Sequence, residues 1–166
     1  MKLRKLEKKD ASLMLEWMHD PMVVADLQGN FLEKSIYDCE KFIQESQNNS
    51  ESIHLAIVDD FDTYMGTVSL KNINMPNKSA EFAITTRRIA MGKGYSKKAM
   101  NDMINIGLDR INLDLIYWCV SRDNYRAIRF YDKCGYGRIN KAPNEASKFY
   151  SETQIKSYLW YQFSRK

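Results

Sequence analysis

The chain alternates between short stretches of period two and apolar stripes at helical spacing, and this alternation predicts most of its elements. Residues 2–6 alternate and read as a first strand. A helix follows, with Asp10 as its N-cap, Leu13, Met14, Trp17 and Met18 on one face, and Pro21 as its stop. Residues 22–33 show no period and are broken at Gly29-Asn30, so they read as irregular. Ser35 opens a second helix with the stripe Ile36, Cys39, Phe42 and Ile43, which residues 47–50 end. Residues 52–58 and 64–73 read as strands joined by a hairpin turn at 59–62. Pro76-Asn77-Lys78 then turns the chain into a strand at 81–86, where Phe82, Ile84 and Thr86 alternate with Glu81, Ala83 and Thr85. After a glycine turn, Met100, Met103, Ile104, Gly107 and Ile111 recur at helical spacing. Residues 113–120 are apolar on both faces, as in a buried central strand. Residues 124–134 form a short helix closed by Gly135, and 137–141 and 154–163 read as the last two strands, joined across Pro143-Asn144. The order β-α-α-β-β-β-α-β-α-β-β predicts an α+β fold with a mixed, mainly antiparallel central sheet flanked by helices.

Residues 80–99 carry the clearest chemistry. A strand turns through Met91-Gly92-Lys93-Gly94 into a helix, which leaves free backbone N–H groups at the helix N-terminus. With the helix dipole, such a terminus suits a phosphate or pyrophosphate. Gly92 and Gly94 place no side chain between backbone and anion. A Rossmann fingerprint is excluded because Lys97 stands where a third glycine belongs, and no P-loop pattern is present.

The same stretch resembles motif A of the GCN5-related N-acetyltransferases, Q/R-x-x-G-x-G/A. It is most similar to the ribosomal-protein and spermidine acetyltransferase branch, whose strand reads like AEF-x-I and whose turn reads like G-K-G-Y/L-A. The Q/R position falls on Ile89, with Arg88 one residue early. Downstream, residues 124–136, NYRAIRFYDKCGY, resemble motif B, N-x-x-A-x-x-x-Y-x-x-x-G-F/Y. The resemblance implies a single acetyltransferase domain over residues 1–166, built as an α/β/α sandwich. It implies acetyl-CoA as donor, held by Ile84, Thr86, Met91, Gly92, Lys93, Gly94, Tyr95, Ser96, Asn124, Ala127 and Tyr131. It also implies Tyr131 as the acid that protonates the leaving thiolate, and either Glu81 or an ordered water as the base, with Asp114 a weaker candidate for that task. Asn124 also reads directly as an ordinary N-cap.

Composition trims the alternatives. The chain has 166 residues, 44% hydrophobic and 28% charged, with net charge +4. Its basic residues are scattered, which does not indicate nucleic-acid binding. Cys39, Cys119 and Cys134 are odd in number and lack metal-ligand spacing, so they read as free thiols of a cytoplasmic protein. No secretory signal, membrane span, metal cluster or Ser-His-Asp spacing is visible, and His19 and His54 read as structural or surface residues. The expected activity is transfer of acetyl from acetyl-CoA to a primary amine of a small molecule or peptide N-terminus, without a metal. The competing reading is a non-catalytic acyl-CoA-binding or regulatory module on the same fold. Polyamine, amino sugar, aminoglycoside and peptide all stay open as acceptors, because Asp20, Asp26 and Glu33 are too thinly spread to mark a polycation site. Assembly as a homodimer stays open as well.

Overall fold

The computed structural model describes residues 1–165. Its seven-stranded sheet has the order β1-β2-β3-β4-β5-β7-β6. The strands are β1 (Lys2–Lys5), β2 (Ile53–Val58), β3 (Tyr64–Asn74), β4 (Ser79–Thr86), β5 (Leu115–Ser121), β6 (Arg138–Ile139) and β7 (Tyr158–Ser164). The helices are α1 (Ala11–Met18), α2 (Pro21–Val24), α3 (Ile36–Glu45), α4 (Tyr95–Asn105), α5 (Tyr125–Lys133) and α6 (Glu152–Ser157). Every strand pairing is antiparallel except that of β4 with β5. The mixed, mainly antiparallel α+β architecture is the one that the pattern of residues predicts.

Period two sorts each strand onto two faces. On one face Val68, Leu70, Phe82, Ile116, Trp118 and Tyr161 bury against Met100 and Met103 of α4 and against Ile128 and Tyr131 of α5. On the other, Ala56 and Val58 meet Met14 and Trp17 of α1 and Cys39 and Ile43 of α3. Further along that second face, Tyr117 and Trp160 close over Ala146. Each large apolar side chain buried this way contributes about 1.5–3 kcal/mol.

The structure corrects several local expectations. Asp10 makes no cap hydrogen bond for α1. Its buried carboxylate instead accepts from Arg4 Nη1 and Nη2, at 2.8 and 2.9 Å, and from Glu7 N. Pro21 does not merely stop a helix. It opens α2 at N1, where its missing N–H costs nothing, and Asp20 caps the turn by accepting from Met22 N. Residues 22–33 therefore hold most of α2 and the 3-10 turn Phe31–Glu33 rather than irregular chain alone. The helical series after the glycine turn ends in a π-helical turn, Ile106–Arg110. The expected strand at 137–141 shrinks to β6, and the expected strand at 154–163 begins as α6. A capping box between Ser151 and Gln154 nucleates that helix, overriding the alternation read there. Asp114 lies just before β5, not within a strand, 3.9 Å from Lys78 Nζ.

His54 is structural. Its Nδ1 lies 2.7 Å from Ser69 Oγ and its ring packs on Phe42. Burial, then the charge of Lys71, depress its pKa from 6.5 to about 4. The native state therefore binds fewer protons here than the unfolded chain, so this contribution is present above pH 6.5 and lost as pH falls toward 4. We expect His54→Gln to remove on the order of 2 kcal/mol of the stability difference between those pH limits. Urea unfolding of wild type and variant across the window checks this. Equal slopes for the two would exclude His54 as the source.

Candidate active site

The site is where the sheet parts. Only Ser79, Ala80 and Glu81 of β4 face Leu115, Ile116 and Tyr117 of β5. Beyond them β4 stays with β3, as far as Thr86 opposite Gly66, while β5 stays with β7 as far as Ser121 opposite Tyr158. The facing edges of residues 82–86 and 118–121 thus have no strand partner, which leaves backbone donors and acceptors open to a ligand in the gap. Ile84 and Thr86 line the β4 side of this opening through their backbone; the Ile84 side chain packs on the core and that of Thr86 is buried.

The glycine turn lies beyond the end of β4. Gly92 and Gly94 have φ of +73° and +83°, the left-handed region, and a Cβ at either would meet nothing within 4 Å. Gly94 is the N-cap of α4, and no side chain caps that terminus. The first-turn N–H groups at Tyr95 and Ser96 therefore have no side-chain partner, and Lys93, Lys97 and Lys98 in the same stretch are exposed. Two arginine forks fix the approach to the turn. Arg87 holds Glu16 at 2.9 Å through Nε and Nη2, and donates to Tyr64 O. Arg88 holds Asp20, and lowers its pKa by doing so. Ile89, at the Q/R position, is instead exposed. Arg126 Nη1 reaches Met91 Sδ at 3.0 Å, linking the turn to the start of α5.

Asn124 caps α5, its Oδ1 accepting from Ala127 N at 3.1 Å. The Ala127 N–H is consequently satisfied within the protein, and the Ala127 side chain packs on the core. Tyr131, two turns on, is 7% exposed and lies among Trp118, Phe130 and Tyr161. Burial, with lesser effects of Tyr161 and Cys119, raises its pKa, so the phenol keeps its proton at neutral pH.

Glu81 is on the opposite face, at the last paired position before the parting, and is 2% exposed. Its Oε2 accepts from Asn72 Nδ2 at 3.0 Å. Its Oε1 accepts from the Tyr150 hydroxyl and lies 3.3 Å from Lys71 Nζ. Cys119 is nearby on β5, and burial followed by the Glu81 charge pushes its thiol up to about 12, with Tyr150 and Lys71 pulling back. His19 is remote from this chemistry, its Nε2 2.7 Å from Lys34 O. Among the described residues no three His, Cys, Asp or Glu side chains group as a metal site. The expected residues thus fall into two sets about one opening: the glycine turn, Asn124 and Tyr131 toward the α4–α5 face, and Glu81 on the other.

Sequence reading missed Lys71, Asn72, Tyr150 and Arg126. Lys71 stands directly opposite Glu81 in the β3–β4 ladder, but a register shift between Lys71 and Asn74 hides that pairing from the sequence. Tyr150 had no signal, since it arrives from a connection whose path no pattern sets.

The family described as acetyltransferase (GNAT) domain matches residues 1–137. The chain is 27% identical over 125 residues to spermidine N(1)-acetyltransferase of Vibrio cholerae, a match covering 75% of this chain and 66% of that enzyme, just under two thirds of its length. It is 27% identical over 146 residues to the Escherichia coli K12 enzyme of the same name, covering 82% of this chain and 72% of that one. The fold superposes on the crystal structure of the Vibrio cholerae spermidine N-acetyltransferase in complex with CoA and spermine, with a TM-score of 0.79 at 21% identity, over 98% of this chain and 94% of that one.

Gly94→Val puts a β-branched residue where φ is +83°. That conformation costs roughly 1–3 kcal/mol, so the turn relaxes and its free N–H groups move with it. We expect coenzyme A to bind at least about tenfold more weakly by calorimetry, the equivalent of about 1.4 kcal/mol. Unchanged affinity in a folded variant would show that the turn is not the anchor.

Proposed function

The chain belongs to the acetyltransferase (GNAT) domain family, and from that premise we propose how its site works and what it acetylates. It is an acetyl-CoA-dependent N-acetyltransferase acting on a small-molecule amine. In our reading, Gly92, Lys93, Gly94, Tyr95 and Ser96 hold the pyrophosphate by backbone N–H groups. The open edges of residues 82–86 and 118–121 take the amides of the arm. The open glycine turn, the uncapped α4 terminus and the parted strands all fit such a donor. Acetyl-CoA supplies an activated acyl thioester.

An alkylammonium with pKa near 10.4 is free amine to only about one part in a few thousand at neutral pH, so a base is needed. Glu81 takes that proton. Asn72 and Tyr150 orient its carboxylate, and its position at the parting sets it beside the incoming amine. Tyr131 gives its phenolic proton to the departing sulfur from the other face. The observation that carries this reading is that a buried carboxylate and a buried, protonated phenol flank one parting of the sheet.

We further infer that the acceptor is a polyamine of the spermidine class. The names of the two bacterial relatives support it. No helix among the described residues is long and apolar enough to cross a membrane. With the thiols of Cys39, Cys119 and Cys134 free, we place the enzyme in the cytoplasm, acting on a soluble amine rather than on nucleic acid or at a membrane.

Thiol release from acetyl-CoA across spermidine, spermine, an amino sugar and a dipeptide tests the acceptor. The polyamines should give the highest kcat/KM. A tenfold preference for another amine would overturn the acceptor, and cofactor binding with no turnover on any amine would favour a binding module. Tyr131→Phe keeps the ring packing, so coenzyme A affinity should hold while kcat falls about 100-fold, the low end for general acid catalysis. Wild-type turnover in that variant, with chemistry limiting, would remove Tyr131 from the mechanism. Glu81→Gln should lose most rate at and below neutral pH, and recover as the free amine becomes abundant. A pH–rate profile superimposable on wild type would exclude Glu81 as base.

A further inference from the structure

Lys71 stands where an acceptor belongs. It faces Glu81 directly across the β3–β4 ladder, so both side chains rise from the same face of the sheet. Its ammonium lies 3.3 Å from Glu81 Oε1 while its side chain stays 39% exposed, reaching inward from the rim. The other hydrogen bonds to Glu81 come from Tyr150 and Asn72, an aromatic hydroxyl and an amide, neither of them a nucleophilic amine. Glu81 is opposite Tyr117 at the last β4–β5 pairing, so the carboxylate that Lys71 reaches borders the opening itself. An acceptor ammonium must approach the same carboxylate to give up its proton.

We propose that Lys71 is a self-acetylation site: without an external amine, its Nζ serves as the acceptor. This rests on the roles assigned above to Glu81 and Tyr131. Glu81 takes one proton from the Lys71 ammonium. The freed Nζ attacks the thioester carbonyl, the N–C bond forms and the C–S bond breaks. Tyr131 protonates the departing sulfur and is reprotonated as Nζ sheds its second proton, while Glu81 releases the first to solvent. The products are Nε-acetyl-Lys71 and free coenzyme A, with no oxidant or reductant. The acetylated side chain carries no charge, so the modified enzyme has lost the ion pair to Glu81 and holds a filled seat where the acceptor binds. The modification is therefore self-limiting and responds to acceptor supply.

The test is incubation of the purified chain with isotopically labelled acetyl-CoA, followed by peptide mapping of every lysine by mass spectrometry. Lys2 and Lys8, with side chains 66% and 82% exposed, report uncatalysed acylation. Lys71 should label at least about tenfold faster than either. Saturating spermidine should suppress that label, and Tyr131→Phe should slow it without slowing Lys2 or Lys8. Labelling of Lys71 no faster than of Lys2 and Lys8, or equal labelling in Tyr131→Phe, would overturn the proposal. Thiol release with spermidine, read in a parallel sample, separates the two readings. Spermidine turnover with Lys71 unlabelled overturns self-acetylation alone. Fast Lys71 labelling without turnover of any free amine supports self-acetylation and overturns the polyamine reading.

Discussion

Everything about this molecule follows from a strand pairing that stops after three positions. A sheet gains one ladder hydrogen bond after another as long as its strands stay together, and open edges invite foreign strands. Here β4 and β5 give up that gain in the middle of the sheet. What compensates is that each strand keeps its other neighbour. Pairing of β4 with β3 extends to Thr86, and that of β5 with β7 runs from Leu115 to Ser121. The molecule is two smaller sheets hinged along Ser79, Ala80 and Glu81, with a gap that a ligand's amides can fill.

The aromatic core beside the hinge fills the space that continued pairing would close. Trp118 is the first β5 residue past the hinge. It stacks on Tyr161 at 5.7 Å and meets Phe82, Tyr131 and Tyr136 at 5.2 to 5.7 Å. The cost shows in hydrogen bonding. Among the described residues, Ser79 Oγ, Tyr117 OH and Trp118 Nε1 are buried without a partner, and all three flank the parting. A buried polar group left unpaired typically costs roughly 1–3 kcal/mol.

The fold was legible where the pattern of residues is local. Alternation gave β2, β3 and β4 close to their bounds, and the Ser35 cap with its stripe gave α3, because side chains a few residues apart decide those elements. Residues 154–157 misread as strand because their apolar spacing fits either period, and the Ser151–Gln154 capping box won. Asp10 misread as a cap because nothing local says that Arg4 will reach it first. In the site, the glycine turn and the spacing from Asn124 to Tyr131 were readable, being contiguous. The parting was not, since it is defined by which partners β4 and β5 keep. Tyr150 was invisible for the same reason: its contact with Glu81 spans the interval between distant parts of the chain.

Glu81 shows why such a site must hold a cation at rest. A carboxylate 2% exposed cannot draw on water for its charge, and stripping a buried charge of its partner typically costs about 3–5 kcal/mol. Asn72 and Tyr150 supply hydrogen bonds but no charge. Lys71 supplies the charge, from a side chain flexible and exposed enough to withdraw. An acceptor ammonium that takes its place leaves the electrostatics of Glu81 nearly unchanged, so the net cost of exchange is small. A neutral amine brings no replacement charge and must compete against the full ion pair. On the role proposed for Glu81, selection for a protonated acceptor is built into the same buried carboxylate that takes its proton: the charge recognised on arrival is the charge removed before attack.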